Sequence, residues 1–178
     1  MRTVAITMFV AISFASEIAP AQDIQRSPPA IGNWVISETT SPVDYSPVVV
    51  VVARSREGEP GSEMQLSIDC RKGQTNLVVT GQTISGPGSD YAISYRINSD
   101  RPVQIGASAT GLGAGAVLQV DVIRLLQSLP EEGDIAIRLA PRTGTAREGT
   151  FSLEGLKPAR TKLAAACKWP QAVAKPRN

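Results

Sequence analysis

Met64-Gln65-Leu66-Ser67-Ile68-Asp69-Cys70 is the stretch on which the fold reading turns. Met64, Leu66, Ile68 and Cys70 alternate with Gln65, Ser67 and Asp69, and this period of two sends the apolar set to one face of a β-strand. Cys70 therefore belongs to the inward face. The pattern repeats downstream, where Tyr91, Ile93, Tyr95 and Ile97 alternate with Ala92, Ser94 and Arg96. It returns in Ile135, Ile137 and Leu139, separated by Ala136 and Arg138. Residues 48–53 are apolar at every position, which predicts a central strand covered on both sides, with shorter partners at 34–37 and 76–80. Clusters of Gly, Pro, Ser, Asp and charged residues at 56–61, 71–74, 85–89 and 99–102 separate the strand candidates, as turns require.

Two segments change period. Leu118, Val122, Leu125, Leu126 and Leu129 recur at helical spacing up to Pro130, with Gln119, Asp121, Arg124 and Gln127 opposite. A second helix is expected to open near Leu156, to tolerate Pro158 in its first turn, and to run its apolar side through Ala159, Leu163 and Ala166 to Cys167 before Pro170. Strands in runs with one helix inserted and one at the end indicate an α+β fold. We expect a mostly antiparallel β-sheet or small sandwich with two amphipathic helices, closed by one disulfide.

The disulfide expectation comes from composition. Cys70 and Cys167 are 97 positions apart, so they do not form a C-x-x-C redox or zinc pair, and the chain has no His. A structural disulfide remains, with two buried thiols as the alternative; an oxidising compartment lets the bond form and persist. The N-terminus agrees. Arg2 precedes an apolar run from Val4 to Ala15 that is too short to span a bilayer, and Ala19-Pro20-Ala21 has the A-x-A arrangement of a signal-peptidase site. Residues 1–21 are thus expected to be a signal peptide, with a buried core segment or an uncleaved anchor as alternatives. The expected order is a flexible segment at 22–31, a single β-rich domain at 32–169 and a flexible tail at 170–178. A domain of this size buries a real core. Periplasmic or secreted localisation follows, with no stable membrane span after signal cleavage.

The net charge of +2, from 18 Lys and Arg against 16 Asp and Glu, gives no footprint for nucleic acid. The lack of His removes the commonest general base, the usual Ser and Cys triads and most zinc and copper sites. Asp44, Asp69, Asp90, Asp100 and Asp121 each fall in a turn or on a polar face and read as solvated carboxylates. The cluster Glu131, Glu132 and Asp134 reads as a charged loop in preference to a weak divalent-ion site. Gly111-Leu112-Gly113-Ala114-Gly115 lies between a strand and a helix candidate, the setting of a phosphate-cradling loop, but lacks Walker or G-x-G-x-x-G spacing. Arg96 and Arg138 form a small basic patch only if their strands are neighbours. We therefore expect no catalytic, cofactor-binding or metal residues, and no enzymatic activity.

Four groups of residues stand in order along the chain: Trp34 with Ser41-Pro42-Val43-Asp44; Leu66-Ser67-Ile68-Asp69-Cys70; Tyr95-Arg96-Ile97-Asn98 with Pro102; and Phe151-Ser152-Leu153-Glu154-Gly155-Leu156 leading to Cys167-Lys168-Trp169. In this order they resemble the VasI/TagO family of type VI secretion-associated proteins. The sequence departs from the family at Tyr45, at Asn98, and in lacking a Trp within 105–110. The resemblance implies an exported envelope accessory protein that acts through contact with another envelope protein. Ser41, Asp44, Tyr95 and Arg96 are the candidates for a shared surface or for a buried polar network in which Arg96 pairs with Asp44. A periplasmic small-ligand binder and an enzyme or inhibitor acting on peptidoglycan are the alternatives.

Overall fold

The computed structural model describes residues 30–56, 63–81, 91–110, 115–141 and 145–170. The first half is a meander of β1 (Ala30–Ile31), β2 (Trp34–Thr40), β3 (Pro47–Arg54), β4 (Met64–Arg71) and β5 (Gln74–Gly81). The second half contributes β6 (Tyr91–Ile97), β7 (Val103–Ala109), β8 (Gly115–Gln119), β9 (Asp134–Pro141) and β10 (Arg147–Ser152). Helix α1 (Val122–Ser128) separates β8 from β9, and α2 (Leu156–Cys167) follows β10. The described residues form one ten-stranded sheet in the order β1-β2-β3-β4-β5-β8-β7-β6-β9-β10, antiparallel at every pairing.

The sheet curls over until its ends meet. Trp34 at the start of β2 donates from Nε1 to the Ser152 carbonyl of β10 at 2.9 Å, and Arg56 N–H donates to the Thr150 carbonyl at 2.7 Å. The inward residues of the alternating strands, among them Trp34, Val51, Leu66, Ile68, Ile137 and Phe151, are buried and build one core. Both helices close that core, α1 through Val122, Leu125 and Leu126, and α2 through Leu156, Ala159, Leu163 and Cys167. Where sheet and helices converge, between Trp34, Leu77, Leu126 and Leu156, the residual void is about 10 Å³. A void of that size is at the lower limit of what could hold a single water.

Cys70 and Cys167 are bonded, with Cα atoms 5.8 Å apart, so α2 is tied to β4. Trp169 seals the junction: its indole N–H donates to Thr75 Oγ1 at 2.8 Å, and Thr75 is the cross-strand partner of Cys70. The two helices are joined by Arg160, whose Nη1 donates to the carbonyls of Leu126 and Leu129, each at 2.9 Å. A guanidinium at the end of α1 satisfies carbonyls that have no partner within the helix.

The α+β reading, the antiparallel sheet, the second helix and the disulfide all hold in the structure. The first helix is shorter than its periodicity predicts. Asp121 accepts from Arg124 N–H at 3.0 Å and caps the helix, so α1 starts at Val122, and Leu118 is an inward residue of β8. The strand at 48–53 lies between β2 and β4 with Val49, Val51 and Ala53 buried, but Val50 and Val52 on its other face are only half-buried. Its short partner at 34–37 is part of β2, whereas residues 76–80 belong to β5 and pair with β4 and β8. The Gly-rich segment joins two strands, not a strand and a helix: β7 and β8 pair antiparallel on either side of it, and residues 111–114 lie outside those described. Gly115 itself is required by close approach, since a Cβ there would sit 2.8 Å from Thr80 Cγ2 and 2.9 Å from the Val79 carbonyl oxygen. Of the expected flexible segment at 22–31, Ala30 and Ile31 form β1; the expected signal peptide and most of the tail lie outside the described residues.

Candidate functional site

The segment Ser41-Pro42-Val43-Asp44-Tyr45-Ser46 connects β2 to β3 and is built from its own hydrogen bonds. Ser41 N–H donates to the Ser46 carbonyl at 2.9 Å, closing the hairpin, and Tyr45 N–H donates to the Ser41 carbonyl at 3.0 Å. The Asp44 carboxylate organises the loop while remaining exposed to solvent. Its Oδ1 accepts from Ser46 Oγ at 2.8 Å and from Ser46 N–H at 3.2 Å. Ser41 Oγ lies 3.4 and 3.5 Å from the N–H groups of Val43 and Asp44, long contacts that leave its own proton for the carboxylate. The hydroxyls of Ser41 and Ser46, the Ser46 N–H and the charge of Lys72 together hold Asp44 at a pKa of about 2, below the usual carboxylate range.

This internal scaffold pushes apolar groups outward. Val43 is 84% exposed and Tyr45 is 81% exposed, the two most exposed large hydrophobic side chains among the described residues. Tyr45 takes a left-handed backbone with φ of 54°, unusual for a bulky residue. Its ring is thereby displayed on a segment whose backbone is fixed by Ser41 and Asp44. Next to the loop, Glu38, Thr40, Val48, Val49, Lys162 and Ala166 line an open groove of about 520 Å³ between the β2–β3 end and α2. An ion pair between Lys162 and Glu38 forms part of its wall.

Ser41 and Asp44 therefore share one network, which includes neither Tyr95 nor Arg96. On β6 the Tyr95 ring packs against the core, and Arg96 lies on the opposite face. Arg96 donates to the Asn98 carbonyl at 3.0 Å and pairs with Glu148 of β10 at 3.3 Å; the bonds of the Asp44 carboxylate stay within its loop. β6 and β9 are neighbours, as the basic-patch reading required, but Glu148 stands opposite Arg138 in register and also meets Arg96. Glu148 therefore offsets one of the two positive charges, through its ion pair with Arg96.

Sequence reasoning missed Val43 and Tyr45 as surface features and missed the groove. The readable signal was two apolar residues inside a Pro-bracketed turn, where nothing in the local sequence offers to bury them. Among the described residues no group of three or more His, Cys, Asp or Glu is arranged to hold a metal ion, and no helix is long and apolar enough to cross a membrane.

No family model matches the sequence, and no curated protein matches it by sequence. Among solved structures, the chain is similar to invasion-associated protein B from Bartonella henselae, with a TM-score of 0.51 at 12% sequence identity, covering 79% of this chain and 96% of that one. At that identity the likeness is one of fold, and it extends over nearly the whole of the other protein.

Proposed function

We propose that this chain is an exported accessory protein of the bacterial envelope that works by docking another protein through its β2–β3 loop. The observation that carries the reading is the pairing of rigidity with exposure at 41–46: a hydrogen-bonded loop holds Val43 and Tyr45 almost wholly in solvent. Ordering such side chains at the moment of binding costs free energy, and a preformed loop has met that cost during folding. Tyr is also among the residues that most often dominate binding energy at protein interfaces. The disulfide and the signal-peptide pattern support an oxidising, extracytoplasmic setting.

Association with type VI secretion rests on the ordered motifs from Trp34 to Cys167-Lys168-Trp169, and the shared fold with an invasion-associated protein supports an envelope role of a more general kind. The chain acts as a binding protein, not an enzyme, in this reading. Supporting it, the one carboxylate in the groove, Glu38, is already paired with Lys162.

The test is photo-cross-linking in the producing cell from a reactive tyrosine analogue at position 45, with position 103 as an exposed control. A single envelope protein joined from position 45, reduced by Val43→Ser and coming from the secretion apparatus, would support both levels of the proposal. An adduct with an unrelated envelope protein would remove the secretion assignment alone. Equal labelling from positions 45 and 103, or labelling insensitive to Val43→Ser, would remove the loop.

A further inference from the structure

The β2–β3 hairpin fixes which way each backbone group of β2 points. Ser41 N–H bonds across to Ser46, and antiparallel pairs alternate between bonded and non-bonded positions, so Thr39, Ser37 and Val35 turn their N–H and C=O groups toward β3. Ile36, Glu38 and Thr40 turn theirs to the other side. Pro47, which has no N–H, falls opposite Thr40 at a non-bonded position, in agreement with this parity. On that other side the two residues of β1 cover only Trp34 and Val35. From Ile36 to Thr40 the edge has no backbone partner among the described residues, leaving six polar groups facing outward.

The chain's own sequence is ill suited to continue β1 along this edge. Continuing the register of β1, which pairs Ile31 with Trp34, would require position 29 to face Ile36 at a bonded position. Position 29 is Pro and has no N–H to give to the Ile36 carbonyl. A second copy is also disfavoured. Two β2 edges paired about their centre would set Glu38 directly against Glu38, and like charges at that spacing oppose pairing.

We propose that residues 36–40 of β2 accept an extended segment of a partner protein by strand addition. The segment alternates in pattern, with small apolar side chains on the Ala166 side of the sheet and a neutral or basic residue opposite Glu38. Backbone bonds to Ile36, Glu38 and Thr40 supply the attachment, and the adjoining Val43 and Tyr45 contact the same partner. The inference rests on the docking reading above and names its mode.

Residue-resolved amide exchange on the folded protein tests it first. Ser37 and Thr39 should exchange slowly and Ile36, Glu38 and Thr40 fast; slow exchange at all five means that the chain or a second copy already covers the edge, which overturns the proposal. The probe is then a displayed library of random decapeptides selected on the immobilised protein. Selected peptides should slow the amides of Ile36, Glu38 and Thr40, and should bind about tenfold more weakly to Thr40→Pro. Thr40→Ser, which keeps the N–H, should bind as the parent does. The Thr40 N–H faces away from β3, so the proline spares the existing ladder; Glu38→Pro gives the same readout if Thr40→Pro does not fold. Failure to select any peptide, or peptides indifferent to both prolines, overturns strand addition. Peptides lost in Tyr45→Ser that leave the three amides fast overturn it too, while the docking loop stands.

Discussion

Asp44 is fully exposed and yet tightly held, because its hydrogen-bond donors come from the loop it organises. A carboxylate whose folded pKa lies below its unfolded value of about 3.9 contributes stability above that value and loses it as pH falls toward the folded pKa. The loop should therefore keep its order at neutral and mildly acid pH and loosen between about pH 4 and about pH 2. A carboxyl-carbon NMR titration should place the Asp44 midpoint at about 2, and Ser41→Ala should move it upward. Gly133 makes a different demand. Its φ is 104°, and a Cβ there would fall 2.1 Å from Asn98 Oδ1, the atom that accepts from Asp134 N–H. Gly133→Ala should cost about 1–3 kcal/mol through backbone strain alone, with the displaced Asn98 adding to it, read from the urea midpoint.

At the scale of elements, α1 is only seven residues long and depends on its ends: Asp121 caps one and Arg160 of α2 satisfies carbonyls at the other. Replacing Arg160 with Met keeps much of the apolar stem and removes both bonds. The expected loss is about 1.5–3 kcal/mol per bond to a charged group as an upper guide, with protection in α1 falling before that in the sheet. Hydrogen exchange at the Leu125 and Leu129 amides checks the order of events. The elements whose side chains repeat along one face were legible from sequence: β4, β6, β9 and α2 all declare themselves by period. β8 was not, because Leu118 stands four residues before Val122 and so fits a helix as well as a short strand. Its identity is set by pairing with β5 and β7, which is information held elsewhere in the chain. Of the four surface candidates, Ser41 and Asp44 were found through a motif and do form one network, but the display of Tyr45 depends on a left-handed backbone that no periodicity announces.

For the whole molecule, the Cys70–Cys167 bond closes a loop of 97 residues that runs from the end of β4 through β5 to β10 and both helices, with β1 to β3 outside it. Cys70→Ala with Cys167→Ala should lower unfolding free energy by about 4–5 kcal/mol in the chain-entropy account, measured by denaturant titration against the oxidised parent. The loss should be matched by adding reductant to the parent and absent when reductant is added to the double variant. The position of α2 has a kinetic corollary. This helix covers β2 to β5, the strands made first, yet its residues come after all ten strands in the chain. Until they arrive, the early meander lacks the lid over its apolar face, and long-range contacts of this kind form slowly. If the chain is exported as proposed above, such an arrangement postpones compaction until this helix has crossed, and lets the passage and the finished fold follow one another without competing.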